Sequence, residues 1–145
     1  MRTEPILTGV SFLDHTADVG VEVVAPSLAD LFARTAGAMT SLIRGVTTDD
    51  LDEGPLVDRA LELEADDLPT LLRAWLRALL HWHEVDGLVL RSVRFEVLAD
   101  TRLSAVLDLA LDTRRPVREI KGVTLHGLVA ERRPDGWIGR VIFDV

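Results

Sequence analysis

The chain has 145 residues, the size of one domain spanning 1–145, and its 48% hydrophobic and 28% charged content is that of a protein with a packed core. It has no Cys and no Asn, which excludes disulfide scaffolds, cysteine-based zinc sites, cysteine nucleophiles and N-glycosylation. A formal charge of −8 repels phosphate, so direct nucleic-acid binding is not expected, whereas a cation or a basic protein partner suits this surface.

Residues 1–5 (MRTEP) place an acid and a proline where a signal peptide needs an apolar run, and no stretch nears the roughly 18 apolar residues of a membrane span. A cytoplasmic protein with no membrane partner is expected. Asp14-His15-Thr16-Ala17-Asp18 reads as a crowded turn ahead of a strand at 19–25. A helix then starts after Ser27, a good N-cap, with Asp30 completing part of a capping box and Gly45 closing it. Residues 47–55 (TTDDLDEGP) read as a surface loop. Their acids do not fit a calcium-binding EF-hand, because the twelfth residue from Asp49 is Ala60 and from Asp50 is Leu61.

A strand at 55–65 follows, with period-two alternation in Leu61-Glu62-Leu63-Glu64. The second helix starts at Asp67 with Pro69 in its first turn and ends at Gly87. Its apolar stripe runs through Leu68, Leu71, Leu72, Trp75, Leu76, Leu79 and Leu80, and Arg73 and Arg77 fall outside it. His81 and His83 near its end point to nearly opposite sides and cannot share one metal ion. Strands at 88–99, 103–111, 120–131 and 137–144 complete the chain, with hairpin turns at Asp100-Thr101 and Pro134-Asp135-Gly136. This order is not regular βαβ alternation. It predicts an α+β two-layer sandwich, with both helices on one face of a mostly antiparallel sheet.

No phosphate loop, dinucleotide fingerprint or G-x-S-x-G elbow is present. Three places stand out instead. The Asp14–Asp18 turn concentrates two acids and a histidine, which a strand cap would also explain. Asp144 ends an apolar strand beside the main-chain carboxylate of Val145, two like charges that need either a cation or water. Lys121, in EIKGVTLH, is the only Lys against 15 Arg, where codon bias explains the excess of Arg but not the retained Lys.

Together the segments DHTADVG, IKGVTLH and VIFDV resemble the motifs of the archease family, in the same order and at similar distances, and the middle helix DDLPTLLRAWLRALLHWHEVDGL is similar as well. Leu125 departs from the pattern, which usually has an aromatic there, and Gly122 stands where Ala is common. The resemblance implies a strand-helix-strand-strand core. It also implies a non-enzymatic accessory protein of the GTP-dependent, RtcB-type RNA ligase of tRNA splicing and RNA repair, which assists ligase guanylylation and multiple turnover. It implies a metal site, often calcium, with Asp18, Asp144 and the main-chain oxygens of Val145 as ligands, and Lys121 as an activity-critical residue. Asp14, His15 and His126 stand beside these residues as candidate supports. Two competing readings are a small metal-dependent phosphohydrolase built on Asp18, Asp144, His15 and Lys121, and a dimerisation module that needs no metal.

Overall fold

Both helices begin at the residues whose side chains can cap them. The computed structural model describes residues 2–14 (the backbone alone at Asp14), 17–45 and 55–145; the loop expected at 47–55 lies outside them up to residue 54. Ser27 is extended and its hydroxyl accepts from Asp30 N at 3.1 Å, opening helix α1, Leu28–Arg44. Asp67 Oδ1 accepts from Thr70 N at 2.9 Å and opens α2, Leu68–Asp86, with Pro69 in a first turn that needs no N–H from it. Gly45 (φ 72°) and Gly87 (φ 69°) close the helices in the left-handed conformation that other residues adopt only with strain.

The described residues also form eight strands: β1 Val10–Asp14, β2 Asp18–Ala25, β3 Leu56–Glu64, β4 Leu88–Leu98, β5 Arg102–Leu111, β6 Gly122–Val123, β7 Val129–Arg133 and β8 Gly136–Asp144. The α+β class and the antiparallel pairing are as expected. The strands divide into two sheets, however, where the sequence suggested one. One sheet has the order β1-β2-β8-β6, with β7 also paired to β8, and the other has the order β3-β5-β4. Alternation shows that a segment is half-buried. It does not show which strand lies beside it.

Both helices pack on both sheets. α1 meets β2, β4 and β8, and α2 meets β3, β4, β5, β6 and β7. One continuous core results, drawing Val21, Val23, Val141 and Phe143 from the larger sheet and Leu90, Val93, Leu103 and Leu107 from the smaller. Trp75 lies at its centre, fully buried. Its ring packs tilted on Phe32 at 6.1 Å and on Phe95 at 5.5 Å, and its indole N–H donates to the Phe32 carbonyl at 2.9 Å. Truncation to Ala at such a site costs about 3–5 kcal/mol. Trp82, seven residues and two helical turns further on, sits at the core edge under the Arg59 guanidinium.

Two strand expectations are corrected. The single strand expected at 120–131 is two short ones. From Val123, opposite Phe143, to Val129, opposite Arg140, the chain takes six steps while β8 takes three. Three residues are therefore extruded from the ladder at the turn around Leu125, His126 and Gly127, where Gly127 supplies φ 63°. β1 was not anticipated at all. Among the described residues it is an edge strand that pairs with β2 alone, and its burial is too shallow to impose clean alternation.

Candidate functional site

The pairing of β2 with β8 joins the two ends of the chain in space. In its register Asp18 stands opposite Asp144, Val19 opposite Phe143 and Glu22 opposite Arg140. Val19, Val21 and Val23 face the core with Val141 and Phe143, so the residues between them take the other face. On that face the Glu22–Arg140 pair closes at 2.6 Å, so side chains at opposed positions do meet.

Asp18 and Asp144 hold the same relation with like charges, Cβ atoms at opposed positions being about 4.5–5.5 Å apart. Asp18 is half-buried. Its Oδ1 is closed to solvent and has no hydrogen-bond partner among the described residues. A shielded carboxylate oxygen without a donor, on a residue opposite a second acid, is costly unless a cation satisfies it.

The strand end is held by main-chain bonds. Lys121 N donates to Asp144 O at 2.8 Å, and Val145 N donates to Ala17 O at 3.4 Å. These bonds bring Lys121, Asp144, Val145 and Asp18 to one corner of the larger sheet. Lys121 is exposed, as is Asp144, and both line a groove between α2 and β6. Among the described residues no three His, Cys, Asp or Glu side chains converge on one point. The corner therefore offers two side-chain carboxylates with main-chain oxygens beside them, a hard-oxygen set that suits calcium or magnesium and not zinc.

His15 and the side chain of Asp14 lie outside the described residues. His126 is exposed on the extruded turn after β6, and no described contact joins it to Asp18 or Asp144. His81 and His83 diverge as the helical spacing requires. His81 lines the groove beside Lys121, and His83 lines a separate cavity with Asp112 and Arg118. Burial lowers the His83 pKa below its ordinary 6.5, against the opposing pull of Asp112 and Glu84.

Residues 11–145 match the model of the archease protein family (MTH1598/TM1083), a span that holds Asp18, Lys121, Asp144 and Val145. The chain belongs to the archease family. Protein archease of Pyrococcus abyssi is 32% identical over 141 residues, covering 91% of this chain and 95% of that one. Protein archease of Methanosarcina acetivorans is 31% identical over 144 residues, covering 92% and 94%. The fold is similar to the solution structure of Methanobacterium thermoautotrophicum protein 1598, with a TM-score of 0.71 at 24% identity over 94% of this chain and 99% of that one. Among the described residues, no helix of this archease-family protein is long and apolar enough to cross a membrane.

What the sequence did not single out is the basic lining of the groove. Arg73 and Arg77 were visible as residues outside the apolar stripe, at a spacing of one helical turn. Their grouping with Lys121 depends on where β6 docks.

Proposed function

We propose that this archease-family protein activates an RtcB-type, GTP-dependent RNA ligase, promoting guanylylation of the ligase and its multiple turnover in tRNA splicing or RNA repair in the cytoplasm. In this reading it works by docking on the enzyme, turns over no substrate of its own and leaves RNA contacts to the ligase. The observation that supports it best is the like-charged pair Asp18–Asp144, with a buried oxygen that has no partner among the described residues, beside the only Lys of the chain.

A divalent cation, calcium by preference, would be held by the Asp18 and Asp144 carboxylates and a main-chain oxygen of Val145. It would supply charge neutralisation and a fixed geometry at this corner. The chain's own residues do the rest: the β2–β8 ladder sets the two residues opposite each other, and the Lys121–Asp144 main-chain bond keeps the backbone of Lys121 beside them.

The test is a ligation assay with limiting ligase and excess broken RNA. With the protein present, product should exceed one round per ligase, and Asp18→Ala should abolish the stimulation. Calorimetry on metal-stripped protein should show calcium binding that the same variant loses. A ligase that turns over equally well without the protein would end the proposal, and calcium binding unchanged in Asp18→Ala would place the metal elsewhere.

A further inference from the structure

Arg73, Arg77 and His81 follow one another at steps of four along α2, a ridge on its polar face. Across from them lie Lys121 and Thr124, and the groove between measures about 490 Å³. That volume is within the range of small-molecule sites, about 300–1,000 Å³. In a chain of net charge −8, three permanent cations face this one groove, against the carboxylates of Glu84 and Asp144.

The cations are not used up by the fold. Arg73 is half-buried, and its Nε donates to the Val123 carbonyl at 2.7 Å. That bond fixes the plane of the guanidinium and leaves its two terminal nitrogens to donate elsewhere. Arg77 and Lys121 are exposed and make no ion pair with a described residue. The Thr124 hydroxyl is shut off from solvent and has no hydrogen-bond partner among the described residues, although Thr124 lines the groove. A lining of three cations, none of them ion-paired with a described residue, suits an oxyanion.

We propose that this groove binds an oligophosphate, the phosphate chain of a nucleotide. Guanidinium forks match phosphate oxygens two at a time, and the ammonium of Lys121 adds a mobile point charge. Several cations in a row suit an anion whose charge is spread along linked phosphates better than a single carboxylate. A long nucleic-acid backbone would run beyond the groove onto an acidic surface that repels it. The site shares Lys121 and Asp144 with the proposed ligase-activating corner but does not rest on that reading, because it needs neither a metal nor a partner protein.

The experiment is calorimetric titration of the purified protein, in chelator-treated buffer, with inorganic tripolyphosphate and separately with a short single-stranded oligouridylate. Tripolyphosphate should bind saturably at one site. Arg77→Glu, an exposed position with no ion pair to a described residue, should weaken it about tenfold or more. Arg102→Glu, the same charge change at the β4–β5 turn, should bind like the parent. Lys121→Ala should weaken binding as well, which guards against a local effect of the helix substitution. Absence of binding to the parent, or equal weakening by Arg77→Glu and Arg102→Glu, overturns the proposal. Oligouridylate binding as tightly as tripolyphosphate overturns the assignment to a nucleotide and points to an RNA backbone.

Discussion

Lys121 is held by its backbone and free at its tip. Its N–H is committed to Asp144 O at 2.8 Å, while the exposed side chain has no ion pair among the described residues. A structural surface pair would accept Arg, since such pairs contribute about 0–1 kcal/mol and either cation can form them. A contact to a phosphate or to a buried group of a partner would not, because the guanidinium is broader and donates along a fixed fork. Lys121→Arg should therefore keep the thermal midpoint and calcium affinity of the parent yet stimulate ligase guanylylation less. If Lys121→Arg and Lys121→Ala both stimulate fully, the lone Lys reflects codon usage alone. Leu125, by contrast, is 63% exposed on the extruded turn, so the departure from the aromatic of the family pattern leaves no hole in the core.

Elements were legible wherever their cause is local. The caps at Ser27 and Asp67 and the glycines at 45 and 87 act within one turn of themselves, and each helix runs between them as read. Strand 120–131 misled because extrusion of three residues is dictated by the β8 register, which lies outside the segment. The β3–β5 pairing was equally invisible, and it sets Asp58 directly opposite Asp108. Asp108 also receives the Ser92 hydroxyl at 2.9 Å and pairs with Arg2 at 2.6 Å. The hydrogen bond shared with Asp108, and then the charge of Asp108, raise the Asp58 pKa above its ordinary 3.8. The same bond lowers that of Asp108, aided by Ser92 and the charges of Arg2 and Arg94 and opposed by burial. Stability from the raised Asp58 is present below 3.8 and is lost as pH rises through its folded value. Stability from the lowered Asp108 is present above 3.8 and is lost as pH falls through its own. Asp58→Asn places a permanent amide donor opposite Asp108. It should raise the thermal midpoint at pH 7, with the gain shrinking as pH drops through the raised Asp58 value, above 3.8, where the folded parent regains its proton. Thermal unfolding over a pH series measures this; identical midpoints at pH 7 would mean that water already screens the exposed pair.

At the scale of the whole molecule, the candidate site is a product of closure. Its motif residues were readable one by one, but their contact requires β2 and β8 to pair across nearly the full length of the chain. That pairing has strong support elsewhere. Val19, Val21, Val141 and Phe143 are essentially fully buried on its inner face, and Glu22–Arg140 closes on its outer face. The ladder can therefore hold Asp18 and Asp144 together although opposed like charges destabilise a strand pair. Function and stability should then trade against each other at this corner. Asp18→Asn removes one charge at nearly constant shape and gives the shielded position an amide that can hydrogen-bond to Asp144. The metal-free variant should melt higher than the metal-free parent, by a shift corresponding to about 1 kcal/mol. Calcium should raise the midpoint of the parent, by an amount that grows with the ratio of free calcium to its dissociation constant, and leave the variant where it was. Scanning calorimetry of both proteins, with chelator and with calcium, separates the two effects. A variant that melts lower than the parent without metal would show that Asp18 supports the fold through a contact of its own, and that the carboxylate pair is not under strain.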